Sequence, residues 1–261
     1  MTSFDPIVAL SLSMAALICL LGPLALAYWW HDRTGMSFKV FRYGAVVFFV
    51  SQIVLRLPWQ VPLSRWVMAN HRAWTVVFLI FSGLTAGLFE EVGRWVGYRT
   101  VLKTERSRNA GVMYGLGHGG CESILLVGLP ILALLIASAL AATGAISRPQ
   151  VLEAIREQAA ALTGWGAQLA VIERASTIAS HVGLSLIVLQ AFTRGRNRWL
   201  VLAILLHAAI DAIAALAVQS LHIPTLYVEL VLGVVALGIL WTGLRLASPA
   251  TIAPGLAVSA S

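Results

Sequence analysis

The residues of this chain best able to do chemistry are charged side chains in places where charge is costly. Six of its eleven acidic residues (Glu90, Glu91, Glu122, Glu173, Asp211 and Glu229) fall inside hydrophobic runs, as do three of its six histidines, His118, His181 and His207. A charged side chain at bilayer depth costs at least about 2.5 to 3.5 kcal/mol, so such groups pair with one another or line a functional cavity. The densest group is Phe89 to Arg94, FEEVGR. Adjacent residues on a helix point in different directions, so Glu90 and Glu91 cannot face the same spot. Arg94, at i+4 from one and i+3 from the other, can pair with either. The simplest arrangement has Arg94 holding one carboxylate while the other faces a cavity.

Two imidazole–carboxylate pairs accompany this group. His118 and Glu122 in HGGCE, and His207 and Asp211 in HAAID, are both spaced i,i+4, so each pair shares a helix face. An imidazole with a carboxylate one turn away suits a divalent metal, with the carboxylate either a direct ligand or orienting the imidazole. Neither pair is the HExxH motif. His181 taken alone is as readily a structural hydrogen-bonding residue as a ligand. Glu173 lies about 12 Å along the helix from His181, so a support role beside Arg174 or another helix is expected of it. Glu229, alone on the last run, reads as structural or interfacial. His31, His71 and His222 sit in loops and carry no signal.

These groups need a scaffold, and composition defines it. The chain has 261 residues, 59% of them hydrophobic and 11% charged, with a mean hydropathy of +0.86, which excludes the soluble globular class. Runs of about 20 apolar residues span a bilayer. Seven are present, at 7–30, 41–57, 74–101, 111–143, 165–192, 199–219 and 223–246. The expected fold is therefore an all-α integral membrane bundle of about seven transmembrane helices, a single domain over 1–248 followed by a disordered tail at 249–261. The second run is short, and PWQVPLSRWVMANHR after it reads as an interfacial helix with Trp59 and Trp66 at headgroup level. Pro149 to Ala161 reads as a short helix outside the membrane. Cys19 and Cys121 both lie in hydrophobic runs, so neither a disulfide framework nor a cysteine zinc site is available.

Charge sets the orientation. Arg33, Lys39, Arg42, Lys103, Arg106, Arg108, Arg194, Arg196, Arg198 and Arg245 fall on one set of alternate connections, against Arg56, Arg65, Arg72, Arg148 and Arg156 on the other. The positive-inside rule makes the first set cytoplasmic, with the N-terminus outside and the C-terminus inside. It also accounts for the net charge of +7 without nucleic acid, because the basic residues sit in short loops. With about 1.5 Å of rise per residue, Glu91, His118, His181 and His207 all lie roughly 10 to 17 Å from the cytoplasmic boundary. Four helices thus bring reactive groups to one level, and a polar cavity open to the cytoplasm is the natural expectation.

Glu90-Glu91 followed by Arg94, Tyr114 four residues before His118, and the His207–Asp211 pair together resemble the CPBP membrane proteases, which include the CAAX prenyl endopeptidases. GHGGCE and the group Glu173, Arg174, His181 are closer to the YhfC branch of intramembrane metalloproteases. The resemblance covers about residues 74–215. It implies hydrolysis of a peptide bond in a membrane-associated peptide or protein, in a bacterial cell membrane, by a glutamate-activated water. The catalytic group so implied is Glu90, Glu91, His118, His207 and Asp211, and Arg94, Glu173 and Arg174 support it. A divalent metal, zinc first, would be held from among His118, His207, Asp211, His181 and Glu122. Two residues rather than three separate the glutamate pair from Arg94, and Asp211 stands where many relatives have Asn, which favours a metal ligand there over a neutral donor. The rival classes are an ion- or proton-coupled transporter, for which a two-fold repeat of broken helices is missing, and a non-catalytic immunity or binding protein on the same fold.

The orientation is testable directly. Reporter fusions placed after Arg108 and after Arg198 are expected to report the cytoplasm, and an external signal from either would overturn the assignment of sides.

Overall fold

The computed structural model describes residues 6–162 and 165–247; the tail at 249–261 lies outside them. The chain is an all-α membrane bundle. Among the described residues seven helical stretches are long and apolar enough to cross a bilayer. The first is α1 (Pro6–Thr34). The second joins α2 (Phe38–Phe48), a π-helical segment at Phe49–Arg56 and α3 (Leu57–Asn70) into one rod. Then come α4 (Thr75–Arg99) and α5 (Arg108–Glu122), the latter running through a π segment, Ser123–Gly128, into α6 (Leu129–Ala142). The short α7 (Pro149–Ala161) precedes α8 (Gly166–Thr193), α9 (Arg198–Gln219) and α10 (Thr225–Leu246).

Local sequence sets several of these ends. Ser37 and Ser107 precede α2 and α5, and their hydroxyls accept from the backbone N–H groups of Lys39 and Ala110, filling donors that a helix start leaves open. Proline opens α7, where its missing N–H costs nothing. Gly35 and Gly195 end turns with positive φ, at 69° and 62°.

One expectation is corrected. The second span is not short, and the segment after it is not separate: residues Phe38–Asn70 form a continuous 33-residue stretch. Arg56 is accordingly no loop charge. It is buried and bonded within the bundle, to Gln52, Ser82 and Thr85. Its removal from the opposing side strengthens the Lys/Arg asymmetry.

α8 is the central helix: 72% of its most apolar window is buried, against 22 to 44% for the other six. It packs against α5, α9 and α10, while α4 packs on α9 and α2 on α5. Apolar residues such as Leu17, Val77, Leu205 and Leu237 stay exposed on the outer faces, where lipid is the expected neighbour. Lipid supplies no hydrophobic drive between helices, so close backbone approach has to hold them together. At Gly87 on α4 a Cβ would stand 2.6 Å from the Ile204 carbonyl of α9, and at Gly183 on α8 it would stand 2.6 Å from the Ile239 carbonyl of α10. Both crossings require a residue with no side chain.

Gly87→Val is therefore expected to destabilise the fold by about 1 to 3 kcal/mol through overpacking. Gly238→Ala, with nothing within 4 Å of the new Cβ, should stay within about 0.5 kcal/mol. Unfolding in detergent would measure both, and equal stability of the two variants would contradict the account of the α4–α9 contact.

Candidate active site

The α4 sequence places Glu90, Glu91 and Arg94 on one buried stretch, and the three diverge as helix geometry requires. Glu91 and Arg94 are both 0% exposed and form an ion pair, the guanidinium Nη1 donating to both carboxylate oxygens. Each member also grips one histidine of another helix. Glu91 Oε1 accepts from Nδ1 of His207 on α9 at 2.7 Å, and Arg94 Nη2 donates to Nδ1 of His181 on α8 at 2.9 Å.

Those two bonds fix opposite tautomers. A carboxylate can only accept, so neutral His207 carries its proton on Nδ1 and turns a lone pair on Nε2 to the interior. A guanidinium can only donate, so neutral His181 carries its proton on Nε2. One ion pair thus leaves an acceptor nitrogen on one ring and a donor nitrogen on the other. Tyr114 donates to the Arg94 carbonyl at 3.3 Å, and Tyr98 bonds the Ser185 hydroxyl at 2.8 Å, closing the layer beside the pair.

Glu90 points to the other side. Its Oε1 accepts from Gln52 and its Oε2 accepts from Nε2 of His118 at 2.8 Å. His207 Nε2 stands 3.8 Å from Oε1 and His181 Nε2 4.0 Å from Oε2. The rings of His118 and His181 have centroids 4.7 Å apart, and those of His181 and His207 5.4 Å. Five helical stretches therefore meet at one carboxylate. Gln52 reaches it from the first π segment, where the widened turn re-aims side chains, and is held in turn by Arg56 at 3.0 Å.

Beyond Glu90 the polar groups continue. Glu122 accepts from His181 Nε2 at 2.7 Å and from Arg174 at 2.9 Å, and Arg174 is held in turn by Glu173. Asp211, whose side chain is 41% exposed, has Oδ2 3.8 Å from His207 Nε2. A cavity of about 270 Å³ starts at Glu90, His181 and His207 and runs past Glu122 and Asp211 to Glu173 and Glu229. Glu173 and Glu229 lie in the first turns of α8 and α10. The cavity therefore runs away from the Lys/Arg-rich connections, opposite to the direction expected from sequence. In the other direction lies a buried apolar layer that includes Met113, Tyr114 and Leu186.

Of the residues anticipated from sequence, the structure gathers Glu90, His118, His181 and His207 at one point and ties Glu91 and Arg94 behind them. Glu122 and Arg174 stand one shell further out, with Glu173. His118 touches Glu90 but is not part of the cavity wall, and its Nδ1 is buried without a partner. Glu229, expected to be structural or interfacial, lines the cavity. Gln52 and Arg56 were missed; the available signal was two polar residues spaced i,i+4 beside an apolar run.

Whether these residues fit a metal can be judged from the donors. Among the described residues, Glu90, His181 and His207 offer ligand atoms that all lie within 4.8 Å of one another. Ligands about 2.0 to 2.1 Å from a tetrahedral ion stand about 3.3 Å apart, so only a small closing movement is needed. His207 is prepared for it, its far nitrogen held by a carboxylate as metal-bound imidazoles usually are. His181 needs its proton moved from Nε2 to Nδ1, which parts it from Arg94. With that proton moved, and the bonds of His181 to Arg94 and Glu122 given up, the set fits a divalent ion.

Comparison with known proteins agrees with this picture. The family described as YhfC intramembrane metalloprotease matches residues 17–232. The uncharacterized membrane protein YhfC of Bacillus subtilis (strain 168) is 33% identical over 254 residues, covering 92% of this chain and 96% of that protein. No solved structure matches.

Removing one partner of a buried ion pair typically costs about 3 to 5 kcal/mol, because the other charge stays uncompensated. Arg94→Ala is expected to lower the yield of folded protein accordingly, whereas Arg156→Ala, on an exposed pair, should leave it unchanged. A well-folded Arg94→Ala protein with wild-type stability would contradict the role given to the pair.

Proposed function

The chain belongs to the YhfC family, and from that premise we propose that it is an intramembrane metallopeptidase that hydrolyses a peptide bond of a membrane-associated peptide or protein. One observation carries the reading. Glu90 is a buried carboxylate with no guanidinium bonded to it, held by two donors and facing two imidazoles at the inner end of a cavity.

Glu90 accepts the proton of the attacking water and returns it to the leaving amine. Gln52 and His118 hold the carboxylate in place, so its position does not depend on substrate. This leaves Glu91 as the positioning residue: it accepts three bonds from Arg94 and His207, against two at Glu90, and it is not part of the cavity wall. A divalent ion, zinc first, would be held by Glu90, His181 and His207, and would supply a Lewis acid that lowers the pKa of a bound water and stabilises the developing oxyanion. Glu122 and Asp211 flank the two imidazoles, and Arg174 balances the charge of Glu122.

With the orientation drawn from the Lys/Arg distribution, the N-terminus lies outside a bacterial cell membrane and the cavity mouth faces outward. Water and substrate enter there, and the packed layer on the inner side keeps the site from becoming a through-path. A one-ended cavity supports hydrolysis over transport.

Loss of a general base typically costs about 10² to 10⁴ in rate, so Glu90→Gln should all but abolish cleavage of a membrane-anchored peptide in proteoliposomes. His207→Ala should lose both cleavage and bound metal, and Glu90→Gln, which removes a ligand as well as the base, should also bind metal more weakly. Wild-type cleavage by Glu90→Gln would show that the base lies elsewhere.

A further inference from the structure

The cavity wall carries five carboxylates, Glu90, Glu122, Glu173, Asp211 and Glu229, but only two guanidiniums, Arg56 and Arg174. Arg174 is taken up by Glu122 and Glu173, and Arg56 is bonded to Gln52, Ser82 and Thr85. Three carboxylates are left over, two of them beside the imidazoles, where a divalent ion would offset their charge. The third is Glu229, at the far end. It is only 8% exposed, and its Oε2 is buried with no hydrogen-bond partner. A buried carboxylate without a partner loses its hydration and gains nothing in return.

Its surroundings define what would complete it. Glu229 shares a second hollow of about 300 Å³ with Gly166, Leu169, Ala170, Glu173 and Thr225, continuous with the cavity through Glu173 and Glu229 themselves. One free carboxylate set beside Leu169 and Ala170 suits a single positive charge on an aliphatic stem. A hard divalent cation would need more oxygen ligands than are free here. We propose that Glu229 is a specificity-determining residue that receives a lysine or arginine side chain of the substrate at the cavity mouth. This rests on the peptidase reading above and deepens it.

The fold also sets the spacing. Glu173, beside Glu229 in the hollow, is eight residues before His181 on α8, about 12 Å along the helix axis. An extended peptide advances about 3.3 Å per residue, so the basic side chain falls three to four residues from the bond that is cut.

The test uses the full chain in lipid nanodiscs with synthetic apolar peptides that carry a single Lys, Gln or Glu at successive positions. Binding is read by fluorescence anisotropy and cleavage by mass spectrometry in the same samples. A charge-assisted contact is worth about tenfold in affinity, so wild type should bind the Lys peptide about tenfold tighter than its Gln twin. That ratio should collapse in Glu229→Gln and persist in Glu229→Asp, and any cut should fall three to four residues from the Lys. Equal binding of the two peptides by wild type, a comparison that needs no variant, would overturn the proposal, as would an unchanged ratio in Glu229→Gln. A Lys preference that depends on Glu229 without cleavage of any peptide would sink the peptidase reading and leave the cation site standing.

Discussion

The whole centre depends on the buried ion pair between Glu91 and Arg94. Both groups have left water entirely, and a pair in that condition is stabilised by each further bond to its donors and acceptors, although Arg94 Nε is buried without a partner. Here the extra bonds go to His207 and His181, on two other helices. The pair therefore does more than neutralise itself. Its anionic end makes one imidazole an acceptor toward the cavity and its cationic end makes the other a donor. Packing of α4 against α9, and of α9 against α8, is a precondition for both bonds. That is why glycines at the helix crossings matter to chemistry several turns away.

Glu90 gains its character by contrast. It is the neighbour of Glu91 in sequence, yet about a quarter turn of helix sends it to a different environment, where neutral donors and imidazoles replace a guanidinium. A carboxylate so held is fixed in position and still open to a water or an ion. Two adjacent glutamates thus divide the work between structure and reaction. The division is made by which face of α4 meets which neighbour.

Much of this was legible in the sequence and some was not. Hydropathy located all seven spans, because a bilayer demands long apolar helices, and the i,i+4 spacing flagged His207 with Asp211, which stand 3.8 Å apart; it also paired His118 with Glu122, whereas His118 bonds Glu90 and Glu122 bonds His181. Reckoning depth from helix ends placed four reactive residues at one level. Which glutamate pairs with Arg94 was open, since both spacings permit it and the choice depends on helix rotation. The roles of Gln52 and Arg56 were hidden because the π segment at Phe49–Arg56 has no sequence signature comparable to a cap or a breaker. The direction of the cavity was misjudged for a similar reason. Depth along the bilayer normal is a single coordinate, and water access depends on where side chains leave space between helices. That space runs toward the first turns of α8 and α10, past Glu122 and Asp211.

The central claim is that Glu90, His181 and His207 form one divalent-metal centre, with His207 oriented by Glu91. X-ray absorption at the metal edge of the purified, zinc-loaded protein tests it most directly. The account predicts a first shell of nitrogen and oxygen at about 2.0 to 2.1 Å, with outer-shell scattering from two imidazoles that falls to one in His207→Ala. A spectrum of a hydrated ion without imidazole scattering, or one unchanged in His207→Ala, would contradict it.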